Sequence, residues 1–327
     1  MVRERHALVL LVLFAALTIS CQPSGPEIAK QELPSDYVTD RFYVTPVTTH
    51  GDSLRFYTDT GGGGNFIFPS VANALELETE PTVINGDTIT LTAFPPFQPG
   101  ASIPAPPGTI PPGDKVAVLR PRGSAHFTGD GFLGSPWFAD RVWEFNYPEE
   151  SLALVTEIRW ADRSPQHRIP VRFQTDSSGA SRHHYPGITV VVAGDSLDML
   201  FDTGATAFPT AEAARQLDRP GVDAIGTSFI AESLFTKWQD EHPDWRVIPA
   251  AERTTEMPMI RVPTIAVAGY QVGPVWFTMR PAGRFAEWMS QWMDRTIYGA
   301  VGGSALHYFR IIVDYPNQMA EFSLKKP

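Results

Sequence analysis

Two aspartates stand in the same short motif at two distant places in the 327-residue chain. The stretches are Asp59-Thr60-Gly61 and Asp202-Thr203-Gly204, and a Gly-Asp-Ser-Leu segment begins eight residues before each aspartate. Motif and segment recur together at one offset of 143 residues (202 − 59). Two carboxylates brought face to face cannot both ionise cheaply, so such a pair shares one proton over a range of pH. The repeat predicts a base and an acid in one site.

A pair of this kind could hydrolyse an amide with water alone. The ionised oxygen takes a proton from a water molecule, while the protonated carboxyl polarises and then protonates the carbonyl under attack. Gly61 and Gly204 permit the tight turn that points backbone N–H groups at each carboxylate. Thr60 and Thr203 can hydrogen-bond across the junction and fix its geometry. No nucleophilic side chain is required, and no metal or other cofactor is expected.

Each aspartate is expected at the end of a short strand. In the first half, residues 42–47 and 54–58 are predicted strands joined by a turn at Gly51-Asp52-Ser53. A helix is predicted over 71–77 with Ser70 as its N-cap. The other predicted elements are strands over 82–84 and 88–92 joined at Asn85-Gly86, strands over 115–119, 142–147 and 152–158, a proline-rich loop over 94–112, and helices over 211–217, 230–241 and 285–294.

A second set of segments repeats further along the chain. A glycine-bounded apolar pair and a later Tyr-Pro pair occur in both halves at one offset of 168 residues (299 − 131). Two halves built from one duplicated unit explain both offsets. We expect a first lobe over residues 37–160 and a second over 161–327, divided where charged and turn-forming residues interrupt the strands. The repeated segments are Gly131-Phe132-Leu133-Gly134 with Phe145-Asn146-Tyr147-Pro148, and Gly299-Ala300-Val301-Gly302 with Val313-Asp314-Tyr315-Pro316.

At the two Asp-Thr-Gly motifs and the two glycine-bounded pairs, the sequence resembles the aspartic peptidases of the pepsin and retropepsin clan. In that clan each half supplies an Asp-Thr/Ser-Gly loop and a later apolar-apolar-Gly segment that packs beneath it. The resemblance implies a mostly β, two-lobed aspartic-protease fold with internal duplication, a few short helices and a cleft that cleaves extended peptides. Carried over to this chain, the catalytic pair is Asp59 and Asp202, supported by Thr60, Gly61, Thr203 and Gly204.

The chain departs from that clan in its first half. Pepsin-like enzymes carry a tyrosine on a hairpin flap, yet no tyrosine lies between Tyr57 and Tyr147. The proline-rich stretch with Phe94 and Phe97 is a candidate cover for the cleft, with an ordinary exposed loop as the alternative. Gly62 stands where the family often has Ser, Thr or Ala, and the glycine run there could loosen the first site. The alternative function is therefore a catalytically weak or inactive peptide-binding or inhibitory protein on the same fold.

Three further patterns have competing interpretations. Gly51-Asp52-Ser53-Leu54 resembles the GDSL esterase motif, whose serine is a nucleophile, but its duplication within a repeat favours a hairpin turn. Apolar residues from Phe285 to Met293 share one helical face, which packs on the core or, as alternatives, contacts substrate as a lid or faces a membrane. His183-His184 is interpreted as a solvated loop, because the histidines show no metal-ligand spacing.

Composition excludes several classes of protein. A net charge of −10 argues against nucleic acid as a partner, since phosphate binding needs a basic surface. The single cysteine, Cys21, excludes an internal disulfide and a thiolate metal cluster. Because one chain supplies both aspartates, the protein is expected to be a monomer that acts on a peptide or protein substrate.

The N-terminus predicts export from a bacterial cell. Residues 1–20 form a candidate signal peptide in which two arginines precede a short apolar run. Leu-Thr-Ile-Ser-Cys resembles the lipoprotein signal, in which Cys21 carries the lipid, although Thr18 stands where leucine is usual. Simple secretion and an uncleaved anchor are the alternatives. Residues 21–36 are interpreted as a flexible tether that holds the lobes at the cell envelope, facing the periplasm or the exterior.

Overall fold

The computed structural model describes residues 28–84, 86–106, 115–120 and 128–324. The predicted signal peptide over 1–20 and the predicted lipid-bearing Cys21 lie outside these residues. In the described part of the chain, no helix is long and apolar enough to cross a membrane.

The first half of the chain consists mainly of short strands. Its runs of Phe, Tyr, Val and Ile favour strands, because aromatic and β-branched side chains pack well on a pleated sheet. Its elements are β1 (Ala29–Glu32), β2 (Ser35–Tyr37), β3 (Phe42–Val44), β4 (Phe56–Thr58), β5 (Asn65–Ile67), α1 (Pro69–Ala74), β6 (Thr79–Ile84), β7 (Asp87–Ala93), β8 (Lys115–Val118), β9 (Gly131–Leu133), α2 (Ser135–Phe138), β10 (Val142–Asn146) and β11 (Ser151–Glu157).

The second half has the same character, with one longer helix. Two 3₁₀ turns, Trp160–Asp162 and Pro165–His167, connect the halves. The elements that follow are β12 (Arg168–Pro170), β13 (Gly187–Val192), β14 (Asp195–Phe201), β15 (Thr206–Ala207), α3 (Ala211–Gln216), β16 (Ile225–Gly226), β17 (Ser228–Ala231), α4 (Glu232–Glu241), β18 (Val247–Ile248), β19 (Met259–Val262), β20 (Ile265–Val267), β21 (Tyr270–Val272), β22 (Val275–Arg280), β23 (Gly299–Val301), α5 (Gly303–Leu306), β24 (Phe309–Asp314) and β25 (Met319–Leu324).

Three large sheets arrange these strands into two lobes. Eight strands of the first half form one sheet in the order β2-β3-β4-β9-β5-β8-β7-β6. Nine strands of the second half form another, β18-β19-β22-β17-β23-β14-β13-β20-β21. A six-stranded sheet, β1-β11-β10-β24-β25-β12, takes strands from both halves. The predicted mostly β, two-lobed architecture with a few short helices is confirmed.

The shared sheet joins the two copies of the repeat. Strands β10 and β24, which contain the residues before each Tyr-Pro pair, run antiparallel with Val142 opposite Asp314 and Asn146 opposite Arg310. Above them, the rings of Phe145 and Phe201 lie 5.9 Å apart, so the shared sheet packs directly under the strand that leads to the second Asp-Thr-Gly motif. Equivalent strands therefore meet at the centre of the molecule.

The prediction that residues 21–36 form a flexible tether is wrong for the last part of that segment, which contains a strand. Strand β1 pairs with β11, with Glu32 opposite Ala153, and Leu33 N–H donates to the carbonyl of Leu152 at 2.9 Å. All four side chains of β1 are exposed, so the segment has no hydrophobic pattern by which the sequence could reveal it. Backbone hydrogen bonds to a neighbouring strand hold it in place instead.

Helix α1 begins differently from the prediction. Pro69 occupies its first position and Phe68 its N-cap, with no side-chain hydrogen bond there, so Ser70 is not the cap. In the second half Thr210 does cap α3, where its hydroxyl accepts a hydrogen bond from the Ala213 N–H at 3.1 Å. A proline fits the first helical turn because its missing N–H would have no partner there.

A buried carboxylate ties the first strand to both halves. Glu144 in β10 is fully buried, and it accepts hydrogen bonds from Lys30 of β1 at 2.8 Å and from Arg310 of β24 at 2.9 Å. Burial opposes ionisation of Glu144, but the hydrogen bonds and charges of Arg310 and Lys30 outweigh it and lower its pKa. Glu144 is therefore ionised at neutral pH and holds three strands together.

Replacing Glu144 with glutamine should lower the free energy of unfolding by about 2 kcal/mol at pH 7, because two cations lose their buried partner. A lowered carboxyl pKa contributes stability above the ordinary glutamate pKa, and this is lost as pH falls through the folded-state value. Urea unfolding at pH 7 and pH 3 measures the effect. Glu157→Gln removes an exposed pair with Arg159 and should change stability by less than about 0.5 kcal/mol. Equal effects of the two variants would contradict the role of Glu144.

Candidate active site

The two Asp-Thr-Gly motifs occupy equivalent places in the two lobes. Strand β4 runs parallel to β9 with Thr58 opposite Leu133, and the Asp59 N–H donates to the Leu133 carbonyl at 2.9 Å. Strand β14 runs parallel to β23 in the same way, and the Asp202 N–H donates to the Val301 carbonyl at 2.9 Å. The glycine-bounded apolar segments thus lie beside the aspartate loops and anchor their first residues.

The two aspartate side chains meet between the lobes, close enough for each carboxyl group to shift the pKa of the other. Each carboxylate also accepts a hydrogen bond from its own motif: Gly61 N–H donates to Asp59 Oδ1 at 2.8 Å, and Gly204 N–H to Asp202 Oδ1 at 3.1 Å. Asp202 is 8 % exposed and Asp59 is half-buried. The structure thus places both predicted aspartates on the same cavity between the lobes.

Two buried threonines connect the loops in a reciprocal manner. The Thr60 hydroxyl donates to the Phe201 carbonyl at 2.6 Å and accepts from the Thr203 N–H at 3.0 Å. In return the Thr60 N–H donates to the Thr203 hydroxyl at 3.2 Å. Both side chains are fully buried, so these bonds compete with no solvent. They fix the relative position of the two lobes at the carboxylates, as their predicted supporting role requires.

The glycines of the motifs leave room for the opposite carboxylate. A Cβ on Gly61 would lie 2.7 Å from Asp202 Cγ, and one on Gly204 would lie 2.1 Å from Asp59 Cγ. Real carbon atoms do not approach so closely without displacement. Glycine is therefore needed at both positions for the two carboxyl groups to meet.

A tyrosine that the sequence did not single out makes a further link between the lobes. The Tyr57 hydroxyl, fully buried, donates to the Gly204 carbonyl at 2.7 Å and lies 2.7 Å from the Thr206 hydroxyl. Tyr57 stands two residues before Asp59, in what the sequence shows only as an apolar strand. Its partners lie 147 and 149 residues away, so no local pattern could identify this contact.

Burial governs the charge of the aspartate pair. It raises the pKa of Asp59 to about 6, against the opposing effects of the Asp202 hydrogen bond and the Gly61 and Gly62 N–H groups. Burial and the Asp59 charge raise the pKa of Asp202 well above its ordinary value. Both shifts favour retention of a shared proton by the pair at a pH where two separate aspartates would be ionised.

The glycine run after Asp59 is held by hydrogen bonds. Gly62 N–H donates to the Asp59 carbonyl at 3.1 Å, Ser135 N–H donates to the Gly62 carbonyl at 2.7 Å, and Gly134 N–H donates to the Gly64 carbonyl at 3.0 Å. A Cβ on Gly62 would lie 2.4 Å from the ring of Phe132. The sequence suggested that this glycine run could loosen the first site. These contacts instead hold the run in place.

The aspartate pair lines an open cavity of about 630 Å³ between the lobes. Most of its described wall comes from the second half of the chain, and aromatic and basic side chains predominate there. From the first half, the described lining residues are Asp59, Gly61 and Gly63; from the second they are His183, Tyr185, Leu200, Asp202, Gly204, Ala205, Thr206, Phe229, Arg280, Arg284, Phe285, Trp288, Met289 and Trp292.

Phe94 and Phe97 do not cover this cavity, so that prediction is wrong. The Phe94 ring packs against Phe56 at 5.4 Å and against Phe97 at 5.4 Å, on the core of the first lobe. A bridge between Phe97 and Thr48 fixes the loop against the hairpin turn that contains Ser53. Ser53 is exposed in this turn, as the hairpin interpretation of the Gly-Asp-Ser-Leu segment predicts.

The loop before β13 borders the cavity, contrary to the solvated-loop interpretation of His183. His183 and Tyr185 both line it, and the Tyr185 hydroxyl lies 3.0 Å from the position of a Cβ on Gly63. Burial, with the Asp59 charge, raises the pKa of Tyr185 to about 12. A tyrosine side chain from the second lobe thus lines the cavity close to Gly63 of the first lobe.

The predicted helix over 285–294 is a π turn, Arg284–Trp288, followed by a 3₁₀ turn, Met289–Trp292. Its apolar side chains line the cavity together, but they differ in exposure: Phe285 and Met289 are buried, while Trp288 is 44 % exposed. Core packing therefore holds for Phe285 and Met289, while substrate contact stays a prediction.

In the described part of the chain, no group of three or more His, Cys, Asp or Glu side chains is arranged to hold a metal ion.

No protein-family model matches the chain, and no curated protein matches it in sequence. Among solved structures, the aspartic proteinase from Irpex lacteus is similar over 91 % of this chain and 98 % of its own, with 10 % sequence identity and a TM-score of 0.47. A likeness at this level concerns the fold alone, so the function of this chain has to be argued from its own residues.

Proposed function

We propose that the protein is an aspartic endopeptidase that hydrolyses peptide bonds with the Asp59/Asp202 pair. The observation that supports this most strongly is the close pair of carboxyl groups, one from each lobe, that lines an open cleft. A merely structural carboxyl pair would gain stability if replaced by apolar groups, since burying charge is costly. Retaining it in a solvent-open cleft suits catalysis.

In this proposal the reaction begins with a water molecule between the two carboxyl groups. Ionised Asp59 takes a proton from the water as it attacks the peptide carbonyl carbon, and protonated Asp202 donates a hydrogen bond and then its proton to the carbonyl oxygen. In the second step Asp59 returns the proton to the leaving nitrogen while the hydroxyl of the tetrahedral intermediate gives its proton to Asp202. The pair regains its starting state, and atoms and charges balance.

The second candidate is a peptide-binding or inhibitory protein with little catalytic activity. It is favoured by the shape of the first lobe: no described residue of the β6–β7 hairpin lines the cavity, so the cleft lacks a cover from that side among the described residues. An open cleft admits bulk water and weakens the electrostatic effects of the carboxyl pair.

Incubation of the purified full-length chain, in mild detergent, with an unfolded protein substrate separates these two functions. The endopeptidase proposal expects new internal peptide ends by mass spectrometry, at a rate proportional to the protein concentration. Peptide binding without new ends would favour the second candidate. Ser53→Ala serves as a control for the esterase interpretation and should leave peptide cleavage unchanged, because Ser53 lies in an exposed turn outside the cavity.

The pH dependence of cleavage should have its lower limit near pH 6. Below that value the pair takes up a second proton and Asp59 no longer acts as a base, because burial has raised its pKa to about 6. Activity should therefore be highest near neutral pH and fall tenfold for each further unit of acidity. The measurement is kcat/KM between pH 4 and 9 on a peptide without ionisable groups. A rate that rises steadily down to pH 4 would contradict this profile.

The cavity also contains His183, whose pKa is lowered by burial and by the Arg182 charge. The control is the pH profile of kcat/KM measured on His183→Gln. Its lower pH limit should equal that of the wild type.

We further propose that the protein works as a monomer outside the cytoplasm, held at a bacterial membrane by a lipid on Cys21. The sequence Leu-Thr-Ile-Ser-Cys supports this assignment, with secretion as the alternative. Metabolic labelling with a fatty-acid analogue, compared between the wild type and Cys21→Ser, tests it.

A further inference from the structure

Two arginines line the cleft of a protein that is acidic as a whole. The chain carries a net charge of −10, yet among the described residues that line the cavity the carboxylates are those of Asp59 and Asp202. Arg280, Arg284 and His183 line the same cavity. With one proton shared by the aspartate pair, the two carboxyl groups carry a single negative charge in a cavity that two arginines also line.

The two arginines differ in how their charge is balanced. Arg280 is largely buried and forms a two-point ion pair with Glu252, at 2.8 and 3.2 Å. Its guanidinium also lies 3.8 Å from the centre of the Phe229 ring. Burial lowers the pKa of Arg280, and the Arg284 charge acts in the same direction. Arg280 is thus a fixed cation whose charge is offset by Glu252.

Arg284 has no such partner. It is exposed, it forms no ion pair with any described residue, and its guanidinium lies 4.0 Å from the centre of the Trp288 ring. The nearest acidic residue in sequence, Glu287, turns back toward Gly283: its Oε2 lies 2.9 Å from where a Gly283 Cβ would be. Stacking on Trp288 limits the freedom of the guanidinium without using its N–H donors. Those donors remain available to a ligand at the cavity wall.

We propose that the cleft selects peptides in which an Asp or Glu side chain lies next to a large apolar residue, with the substrate carboxylate bound by Arg284 and the apolar side chain packed on Trp288 and Trp292. The substrate class follows from the charge and the aromatic wall together. A guanidinium prefers a carboxylate because its N–H groups match the two oxygens, and the neighbouring Arg280 would disfavour a basic side chain in the same place. This inference rests on the proposed peptidase function for its turnover test, but its binding test is independent of it.

The turnover test uses internally quenched peptides with blocked termini, in which one glutamate is moved through every position and compared with glutamine there. At one position at least, we expect kcat/KM to be about fivefold higher for glutamate, which is the effect of a partly exposed ion pair of about 1 kcal/mol. Arg284→Gln should bring the ratio to about one. Arg284→Glu should invert it and favour lysine at that position. No glutamate preference at any position in a cleaving wild-type protein would overturn the proposal while leaving the peptidase function intact.

The matched control for net charge is Arg261→Glu. Arg261 is an exposed arginine of β19 in the same lobe and outside the cavity lining, so it makes the same change in total charge without touching the site. Its glutamate-to-glutamine ratio should equal that of the wild type. If the glutamate-to-glutamine ratio of kcat/KM falls equally in Arg261→Glu and Arg284→Glu, the preference comes from long-range electrostatic attraction. That result would overturn a site at Arg284.

The binding test measures fluorescence anisotropy of the same peptides, without quencher, on the full-length Asp59→Asn variant. The glutamate peptide should bind about fivefold more tightly than its glutamine counterpart, and the difference should disappear when Arg284→Gln is added. If the wild type cleaves nothing but this difference is present, the peptidase function fails and the acidic-peptide site stands. Equal binding of the two peptides would overturn the site.

Discussion

Replacement of either Asp59 or Asp202 with asparagine is expected to lower kcat for peptide cleavage by about 10³-fold or more. Each substitution keeps the shape of the side chain and its hydrogen bond from Gly61 or Gly204, but removes the shared proton on which acid–base chemistry depends. The effects should not add in the double variant, because the two groups act as one unit. Single-turnover cleavage of one fluorogenic peptide measures all three variants.

The Asp59→Asn variant should be more stable than the wild type at neutral pH. Because burial raises the pKa of Asp59 from 3.8 to about 6, the folded state binds the proton more tightly than the unfolded state does. Stability is then fully present below pH 4 and is lost as pH rises through about 6. Asparagine removes this cost, so the gain reaches as much as about 3 kcal/mol at pH 7 and disappears near pH 4.

Increased stability with lost activity separates a catalytic role from a structural one. The control is Asp52→Asn, in the exposed hairpin turn of the same lobe, which should retain activity within about twofold. Cleavage that survives in either Asp59→Asn or Asp202→Asn would exclude the pair as the catalytic groups.

The second large effect is expected for Gly204→Ala. Its methyl carbon would lie 2.1 Å from Asp59 Cγ, so Asp59 has to move out of reach of Asp202. We expect kcat/KM to fall by about 100-fold or more and the free energy of unfolding to fall by about 2 kcal/mol, as for an overpacked core. The pH profile should lose its limit near pH 6, since an Asp59 displaced toward solvent regains a more ordinary pKa.

Gly221→Asn is the matched control in the same lobe. Gly221 has φ of +80° with no atom within 4 Å of an added Cβ, and asparagine tolerates this conformation better than other side chains. It should change activity by less than about twofold. A Gly204→Ala protein with wild-type kcat/KM would show that the carboxyl groups do not need this close approach.

The aspartate pair could be predicted from the sequence because its determinants are local. An Asp-Thr-Gly turn at the end of an apolar strand is a short motif, and its repetition at one offset indicates two equivalent sites without knowledge of any distance. The same holds for the segments around Gly134 and Gly302, which contact the aspartate loops through neighbouring strands.

The walls of the cleft could not be predicted in this way. Tyr185, Arg280 and Arg284 reach the cavity through the pairing of distant strands and through a π turn, and nothing in their own neighbourhoods marks them. The spacing of the apolar residues over 285–293 correctly predicted that they share one face. It also predicted a regular α-helix, which the chain does not form there. The irregular turns leave Phe285 and Met289 buried and Trp288 exposed along the same cavity.

Two predictions from the sequence were wrong for the same physical reason. The exposed strand Ala29–Glu32 has no apolar pattern, and the position of Phe94 depends on a loop that folds back onto Phe56. In both cases long-range contacts decide the structure: Lys30 reaches Glu144, 114 residues away, and a proline-rich stretch packs on the core instead of crossing the cleft.

The central claim is that Asp59 and Asp202 share one proton at neutral pH, and infrared difference spectroscopy tests it most directly. Spectra of the full-length wild type at pH 7 are compared with those of Asp59→Asn and Asp202→Asn. We predict one protonated carboxyl band in the wild type that shifts on deuterium exchange and is missing in Asp202→Asn. The wild-type spectrum should not show the two ionised-carboxylate signals expected of independent aspartates. A wild-type spectrum in which both carboxyl groups are ionised at pH 7 would contradict the account.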